Sequence, residues 1–330
     1  MSTLGLGNAL VDILLRLENE RSLTDIGIVK GAMDMIDENQ MVVIQRTLSH
    51  LERNRTPGGS ACNVVRALAK LGVKAGFIGK IGADATGRYY EQALEEAGVA
   101  PYFSIDGDIT GCCTVLISPD GERTMATFLG PAPALTPGDI QPGVVALYDY
   151  IYIEGYLLVN EPLVRDAMQK AKRAGVKVAL DLSNFNIVSA FKDVLDDIVP
   201  RYVDILFSNE SEAKVFTGLQ PDEAIHRLAE MVGIAVVTCG KEGAVLSGGG
   251  ETLRVKAEGG KALDTTGAGD NFAAGFLYGQ SAGGTLEQSA LIGSMLSGHV
   301  ISVIGPQIPD GQWEQIKLKI DAILSRTADY

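Results

Sequence analysis

The run Asp264-Thr265-Thr266-Gly267-Ala268-Gly269-Asp270-Asn271-Phe272-Ala273-Ala274-Gly275 carries the strongest chemical signal in the sequence. It follows a strand-like stretch and opens a helix of small residues. Gly267, Ala268 and Gly269 set several backbone N–H groups in a row with no bulky side chain above them. Such amides, at a helix start and aided by the helix dipole, form an anion site. Asp270 falls in the first turn of that helix. A carboxylate is a poor choice beside a site that only binds anions. It makes sense if it accepts a proton from a hydroxyl attacking a phosphorus held there. The alternative is an Asp cap with glycines for close contact. The two Thr and two Asp around the glycines favour the chemical reading.

Four further clusters could hold ligands. In Pro57-Gly58-Gly59-Ser60-Ala61-Cys62-Asn63 the glycines let a small polar ligand approach the backbone. Ser60 or Asn63 could then bond its hydroxyls, unless the segment is only a turn with a Ser N-cap. Asn8 and Asp12 follow the first strand, where ligands of open α/β sheets bind. Asp12 could take two vicinal hydroxyls of a sugar, or be a solvated turn residue. Asn209 and Glu212 share a helix face at i and i+3. An amide and a carboxylate so placed suit a hydrated Mg²⁺; an N-cap with an acidic first turn fits equally well. Thr238-Cys239-Gly240-Lys241-Glu242-Gly243 is a strand-end glycine loop and weak alone. Gly5-Leu6-Gly7-Asn8-Ala9-Leu10 is an incomplete dinucleotide fingerprint, with Leu10 where a glycine belongs. No Walker-type phosphate loop or serine nucleophile elbow occurs, and the three histidines have no metal-ligand spacing.

The elements that must position these residues are readable in outline. The chain has 330 residues, 46% of them hydrophobic, with 39 glycines and a net charge of −13. The apolar fraction argues against disorder and the acidic balance against a nucleic-acid or anionic-membrane binder. Four cysteines without a Cys-x-x-Cys pair read as buried free thiols of a reducing compartment, so the cytoplasm is the expected location. No apolar run of spanning length occurs. From residue 148 onward, short apolar strands (150–153, 176–180, 204–207, 234–238) alternate with helical stretches, which predicts an α/β fold with a parallel sheet and helices on both faces. Helices are expected at about 60–71, 85–97, 162–174, 268–282, 286–304 and 312–324, with a hairpin at Gly248-Gly249-Gly250. Residues 10–50 read as short strands and turns, and 99–128 as strands with a Pro119-Asp120-Gly121 hairpin turn. Without a repeat or linker, one domain over 1–330 is expected, in which 10–50 and 99–128 build a small extra sheet as a lid.

Taken together and in order, the motifs resemble the ribokinase-like (PfkB) family of sugar and nucleoside kinases over essentially the whole chain. Gly58, Gly59 and Asn63 match its Gly-Gly-x-x-x-Asn element, Asn209 and Glu212 its Asn-x-x-Glu element, and Asp264 to Asp270 its Asp-Thr-x-Gly-Ala-Gly-Asp signature. The resemblance implies a Rossmann-like, doubly wound, mostly parallel sheet with a small β lid that often mediates dimerisation. It implies phosphoryl transfer from ATP to a hydroxymethyl group of a sugar or nucleoside. By the same resemblance Asp270 is the general base, and Gly267, Ala268 and Gly269 form the anion hole. Glu212, with Asn209, organises Mg²⁺ through water. Asp12, Gly58, Gly59 and Asn63 hold substrate, with Asn8 beside them. Thr238, Gly240 and Gly243 lie in the nucleotide loop, and Asp264 and Thr266 where members bind a monovalent cation such as K⁺. The Asn8–Asp12 spacing and Gly121-Glu122-Arg123-Thr124 resemble the adenosine-kinase-like branch. There Arg123 could reach a phosphate from the lid, unless it is a hairpin arginine in solvent. The tail Ile304-Gly305-Pro306-Gln307 departs from the family's Gly-Ala pattern, which leaves K⁺ open. Ser294 to Gly298 lacks an asparagine common near the adenine.

A non-catalytic sugar or nucleotide sensor on the same fold is the competing function, though a sensor has no need of Asp270. A nicotinamide oxidoreductase is disfavoured by Leu10. The substrate is set by lid residues that carry no readable code. Unpaired lid edges point to a homodimer.

Overall fold

The computed structural model describes residues 2–260 and 262–325. Of the expected domain 1–330, only the first residue, Lys261 and the last five lie outside that description. Among the described residues fourteen strands are formed: β1 Ser2–Leu6, β2 Leu10–Arg16, β3 Met33–Met35, β4 Arg53–Gly58, β5 Lys74–Gly82, β6 Val99–Asp106, β7 Cys112–Ile117, β8 Arg123–Phe128, β9 Tyr150–Glu154, β10 Lys177–Asp181, β11 Ile205–Asn209, β12 Ile234–Thr238, β13 Ala244–Gly248 and β14 Glu251–Val255. Nine of them make the large sheet, in the order β14-β13-β12-β11-β10-β9-β1-β5-β6. The strands from β12 to β6 are all parallel, and β13 and β14 add an antiparallel edge. The smaller sheet has the order β3-β8-β7-β2-β4.

The large sheet is covered on both faces because its strands are apolar on both. In β9, Ile151 and Ile153 enter one core cluster and Tyr150 and Tyr152 the other; in β11, Leu206 and Phe207 divide likewise. This is the period-2 alternation of a strand buried on two sides. Helices Glu161–Arg173, Lys192–Tyr202 and Pro221–Ala229 cover the first face. Helices Ser60–Lys70, Ala268–Ser281 and Leu286–Val300 cover the second. The chain leaves β1 toward β5 and β6, then returns to β9 on its other side. β1 and β9 therefore flank the topological switch point, where a doubly wound sheet opens a crevice beyond its strand ends.

Three expectations are corrected. Residues 10–50 are not only strands and turns: Glu38–Thr47 is a helix, started by a capping box between Asp37 and Gln40, with Met41 and Ile44 buried. Arg21–Asp25 is a helical turn. Second, β6 joins the large sheet beside β5, so the smaller sheet draws on 112–128 and not on 99–106. Its fifth strand is β4, antiparallel to β2. Pro57 sits in β4 without penalty because β4 is an edge, where no ladder donor is required. Third, the helix expected to reach 304 ends at Val300. All four cysteines are free and buried. Among the described residues no helix is long and apolar enough to cross a membrane.

Candidate active site

The switch point is occupied by a buried carboxylate. Glu154, the last residue of β9, is 1% exposed. One of its oxygens accepts from the Asn8 backbone N–H (2.9 Å) and from Asn8 Nδ2 (2.7 Å); the other accepts from the Ala61 N–H (3.0 Å). Glu154 thus ties the end of β1 to the first turn of helix Ser60–Lys70. Between them, Gly59 has φ +93°, and a Cβ there would lie 2.4 Å from the Asn8 carbonyl oxygen. Only glycine meets both demands.

That turn aims two side chains at Asp270. Ser60 Oγ donates to Asp270 Oδ1 at 2.6 Å, and Asn63 Nδ2 donates to Asp270 Oδ2 at 2.8 Å. Asp270 lies in the first turn of helix Ala268–Ser281, whose N-cap Gly267 has φ +74° and backs onto Pro306. Burial pushes the Asp270 carboxyl up to about 7. The Ser60 and Asn63 bonds oppose that rise, and the charges of Asp181 and Glu154 add to it.

Two more acids close the group. Asp181 ends β10; it accepts from Tyr152 Oη (2.9 Å) and from the Ser183 N–H (2.6 Å), and burial raises its pKa. Glu212 closes a capping box on Asn209: its two oxygens take the Asn209 N–H (2.8 Å) and Nδ2 (2.6 Å). Burial, with the Asp181 charge, raises Glu212 to about 8.

These residues line one cavity of about 630 Å³, which also receives Asn8, Asp12, Gly59, Thr238, Thr266 and the loop Gly267-Ala268-Gly269. Its opposite wall comes from the smaller sheet and is mostly apolar, with Leu10, Met33, Met35, Val115 and Met125 around the polar Asp12 and Thr127. A second cavity, of about 500 Å³, contains Gly240, Gly243, Ser294 and Ser297. The two cavities share Thr238, Thr265, Ala268, Gly269 and Phe272. The loop that opens helix Ala268–Ser281 is therefore the partition between them.

The chain as a whole has counterparts among known proteins. The family model described as "pfkB family carbohydrate kinase" matches residues 29–313. The chain belongs to this family. It is 30% identical to an adenosine kinase of Saccharomyces cerevisiae, covering 92% of this chain and 96% of that one. It is 31% identical to a 5-dehydro-2-deoxygluconokinase of Bacillus subtilis, covering 74% and 80%. The solved adenosine kinase of Sinorhizobium meliloti superposes with a TM-score of 0.83 at 34% identity, covering 93% and 95%. The chain is accordingly a carbohydrate or nucleoside kinase with a ribokinase-like fold, and such kinases use ATP with a metal ion.

Within this pfkB kinase the expected site residues divide into three groups. Asn8, Asp12, Gly59, Asn63, Asn209, Glu212, Thr238, Thr266 and Gly267 to Asp270 meet at the larger cavity, while Gly240 and Gly243 line only its neighbour. Asp12 is on β2 of the smaller sheet and not at the end of a large-sheet strand. Burial lifts it to about 7, against the pull of Arg123 and Arg66. Gly58 lies outside the lining and packs on Asp12: a Cβ on it would meet Asp12 Oδ1 at 2.3 Å. Arg123 and Asp264 also lie outside the lining and bond one another. Glu154 and Asp181 are acids of the larger cavity that sequence reasoning missed. The available signal was an acid directly after an apolar strand (Ile153-Glu154-Gly155, Leu180-Asp181-Leu182), where strand ends meet ligands.

The donor set fits a divalent cation but not a monovalent one. Asp181 and Glu212 are buried acids that raise each other's cost of ionisation, a tension a hard cation relieves. Among the described residues no three His, Cys, Asp or Glu side chains gather as a cage. Asp264, by contrast, has its oxygens taken by Arg123 and by the N–H groups of Gly305 (2.6 Å) and Thr266 (2.9 Å), while Arg123 also donates to Thr266 Oγ1. The place the resemblance gives to K⁺ holds a guanidinium.

Proposed function

We propose that this kinase transfers the γ-phosphoryl group of ATP to a hydroxymethyl group of a nucleoside, with Asp270 as general base. The observation that supports it is the anion loop between two cavities, with Asp270 on the side that faces the larger one. The acceptor hydroxyl in the larger cavity gives its proton to an Asp270 oxygen as its own oxygen attacks phosphorus; the bond to the bridging oxygen breaks and ADP leaves. A carboxyl lifted to about 7 is half ionised at neutral pH and basic enough to take that proton. Ser60 and Asn63 fix its orientation, and the amides of Gly267, Ala268 and Gly269 face the charge that develops on the transferred oxygens. Glu212 and Asp181 would hold Mg²⁺ through water, with Asn209 orienting Glu212; the ion supplies neutralisation of the phosphate charge. Thr238, Gly240 and Gly243 receive the nucleotide, and Asn8, Asp12 and Gly59 the acceptor.

A nucleoside is favoured over a free sugar by the cavity wall. A sugar offers hydroxyls on every side, whereas Leu10, Met33, Met35, Val115 and Met125 offer none a partner. A flat base suits thioethers and aliphatic carbons. The test is ADP release with Mg²⁺-ATP over nucleosides, pentoses, hexoses and keto-sugar acids. Turnover is expected with a nucleoside, and Asp270→Asn should lower kcat by roughly 10²–10⁴. Full activity in that variant removes the base; turnover confined to free sugars removes the nucleoside.

A further inference from the structure

We propose that Arg123 is the resident cation of the anion loop: its guanidinium takes the place of a monovalent metal ion between Asp264 and Thr266, so that the protein needs no K⁺ or Na⁺ there.

Asp264 is 6% exposed, and a buried carboxylate demands a compensating charge. Backbone N–H groups from Thr266 and Gly305 satisfy part of its hydrogen-bonding capacity but carry no net charge. The guanidinium supplies it, bonding Asp264 with one terminal nitrogen and Thr266 Oγ1 with the other. Its fork spans the two residues as one ion would, and it has donors only. A metal ion seated on the same oxygens would lose its ligands to those donors and face a like charge one ligand shell away. Arginine stays protonated, so this cation cannot be titrated off in the working range.

The assignment also explains a feature of the chain order. Arg123 begins β8 of the smaller sheet and Asp264 begins the anion loop, 141 residues further on. A free metal ion would tie the loop only to itself. An arginine ties it to the smaller sheet, whose apolar residues form the far wall of the cavity. Gly305, from the segment behind the loop, completes the arrangement through its N–H.

The test uses the full chain and does not depend on the kinase reading, because its first readout is thermal melting. Wild-type protein is melted in KCl, NaCl, CsCl and tetramethylammonium chloride at one ionic strength. The same Tm in all four is expected, and an equal rate of ADP release where turnover is measured. A Tm or rate specifically raised by K⁺ or Na⁺ in the wild type overturns the proposal. Arg123→Ala opens the place: K⁺ or free guanidinium should then raise its Tm, with about a tenfold recovery of lost activity, the scale of a charge-assisted hydrogen bond. An Arg123→Ala protein that folds and melts identically in all salts and with guanidinium also overturns it. Should that variant fail to fold, Arg123→Lys keeps a cation in place and should retain the flat salt response; a K⁺ requirement in Arg123→Lys counts against a resident side-chain cation.

Discussion

At the scale of single residues, the site works through hydrogen bonds that oppose burial. Removing a proton from Asp270 costs energy because the carboxylate is enclosed and has Asp181 and Glu154 for neighbours. Asn63 offsets that cost with a bond from Nδ2, and its Oδ1 has no partner among the described residues. Asn63→Ala should therefore make Asp270 harder to ionise. In the wild type, kcat/KM, which reports the free enzyme's groups, should fall tenfold per pH unit below about 7. In Asn63→Ala that limb should move to higher pH by roughly one unit, the equivalent of about 1.4 kcal/mol. Replacing Asn63 without moving the limb is the outcome that rejects its tuning role, and a change in KM alone would make it only a substrate contact.

At the scale of elements, the same chemistry depends on one turn. Gly59 allows helix Ser60–Lys70 to start against the Asn8 carbonyl, and Ser60, Ala61 and Asn63 take their partners from that start. Gly59→Ala forces a side chain into a left-handed φ and a 2.4 Å approach. It should cost about 1–3 kcal/mol of stability by thermal or urea melting and lower kcat as well, because both partners of Asp270 move. Asp37→Ala is the contrast: losing the N-cap of helix Glu38–Thr47 should cost about 1 kcal/mol with kcat unchanged. A Gly59→Ala enzyme with normal kcat would separate the turn from the chemistry. This local dependence is also why so much of the site was legible. Gly59 with Asn63, Asn209 with Glu212, and Gly267 with Asp270 lie within one helical turn of each other, so spacing alone carries their geometry. Glu154 and Asp181 were legible only as acids closing apolar strands; that they meet was not, because parallel pairing brings strand ends together across stretches no local pattern records. The Arg123–Asp264 contact spans 141 residues, and no local pattern records it either. Helix Glu38–Thr47 was missed for another reason: only Met41 and Ile44 are buried in it, and short apolar alternations before it suggested strands.

At the scale of the whole molecule, the net charge of −13 and the buried acids pull stability the same way. Asp12 and Asp270 are raised to about 7 and Glu212 to about 8, and Glu154 and Asp181 are also raised, all by burial first. Between the ordinary carboxylate range and about 8, the folded protein therefore holds more protons than the unfolded chain. Stability must fall as pH rises through that window. Asp84, Asp106, Asp120, Asp139 and Asp197 are lowered, and they favour the fold above their unfolded pKa and lose that contribution in acid. All five sit largely toward solvent, where such contributions are small. The ligand-free protein should thus melt highest near about pH 5 and at progressively lower temperature toward about pH 8, opposite to the trend set by ordinary surface carboxylates. Mg²⁺ without nucleotide should raise Tm at the alkaline end, where Glu212 and Asp181 are being forced to ionise, and do little at the acid end, where they keep their protons. Glu212→Gln should lift the alkaline Tm and weaken the Mg²⁺ response together. A Tm that climbs from about pH 5 to about pH 8 in the wild type would mean that these acids are ionised at little cost in the fold. Asp270 would then not be a base poised near neutrality.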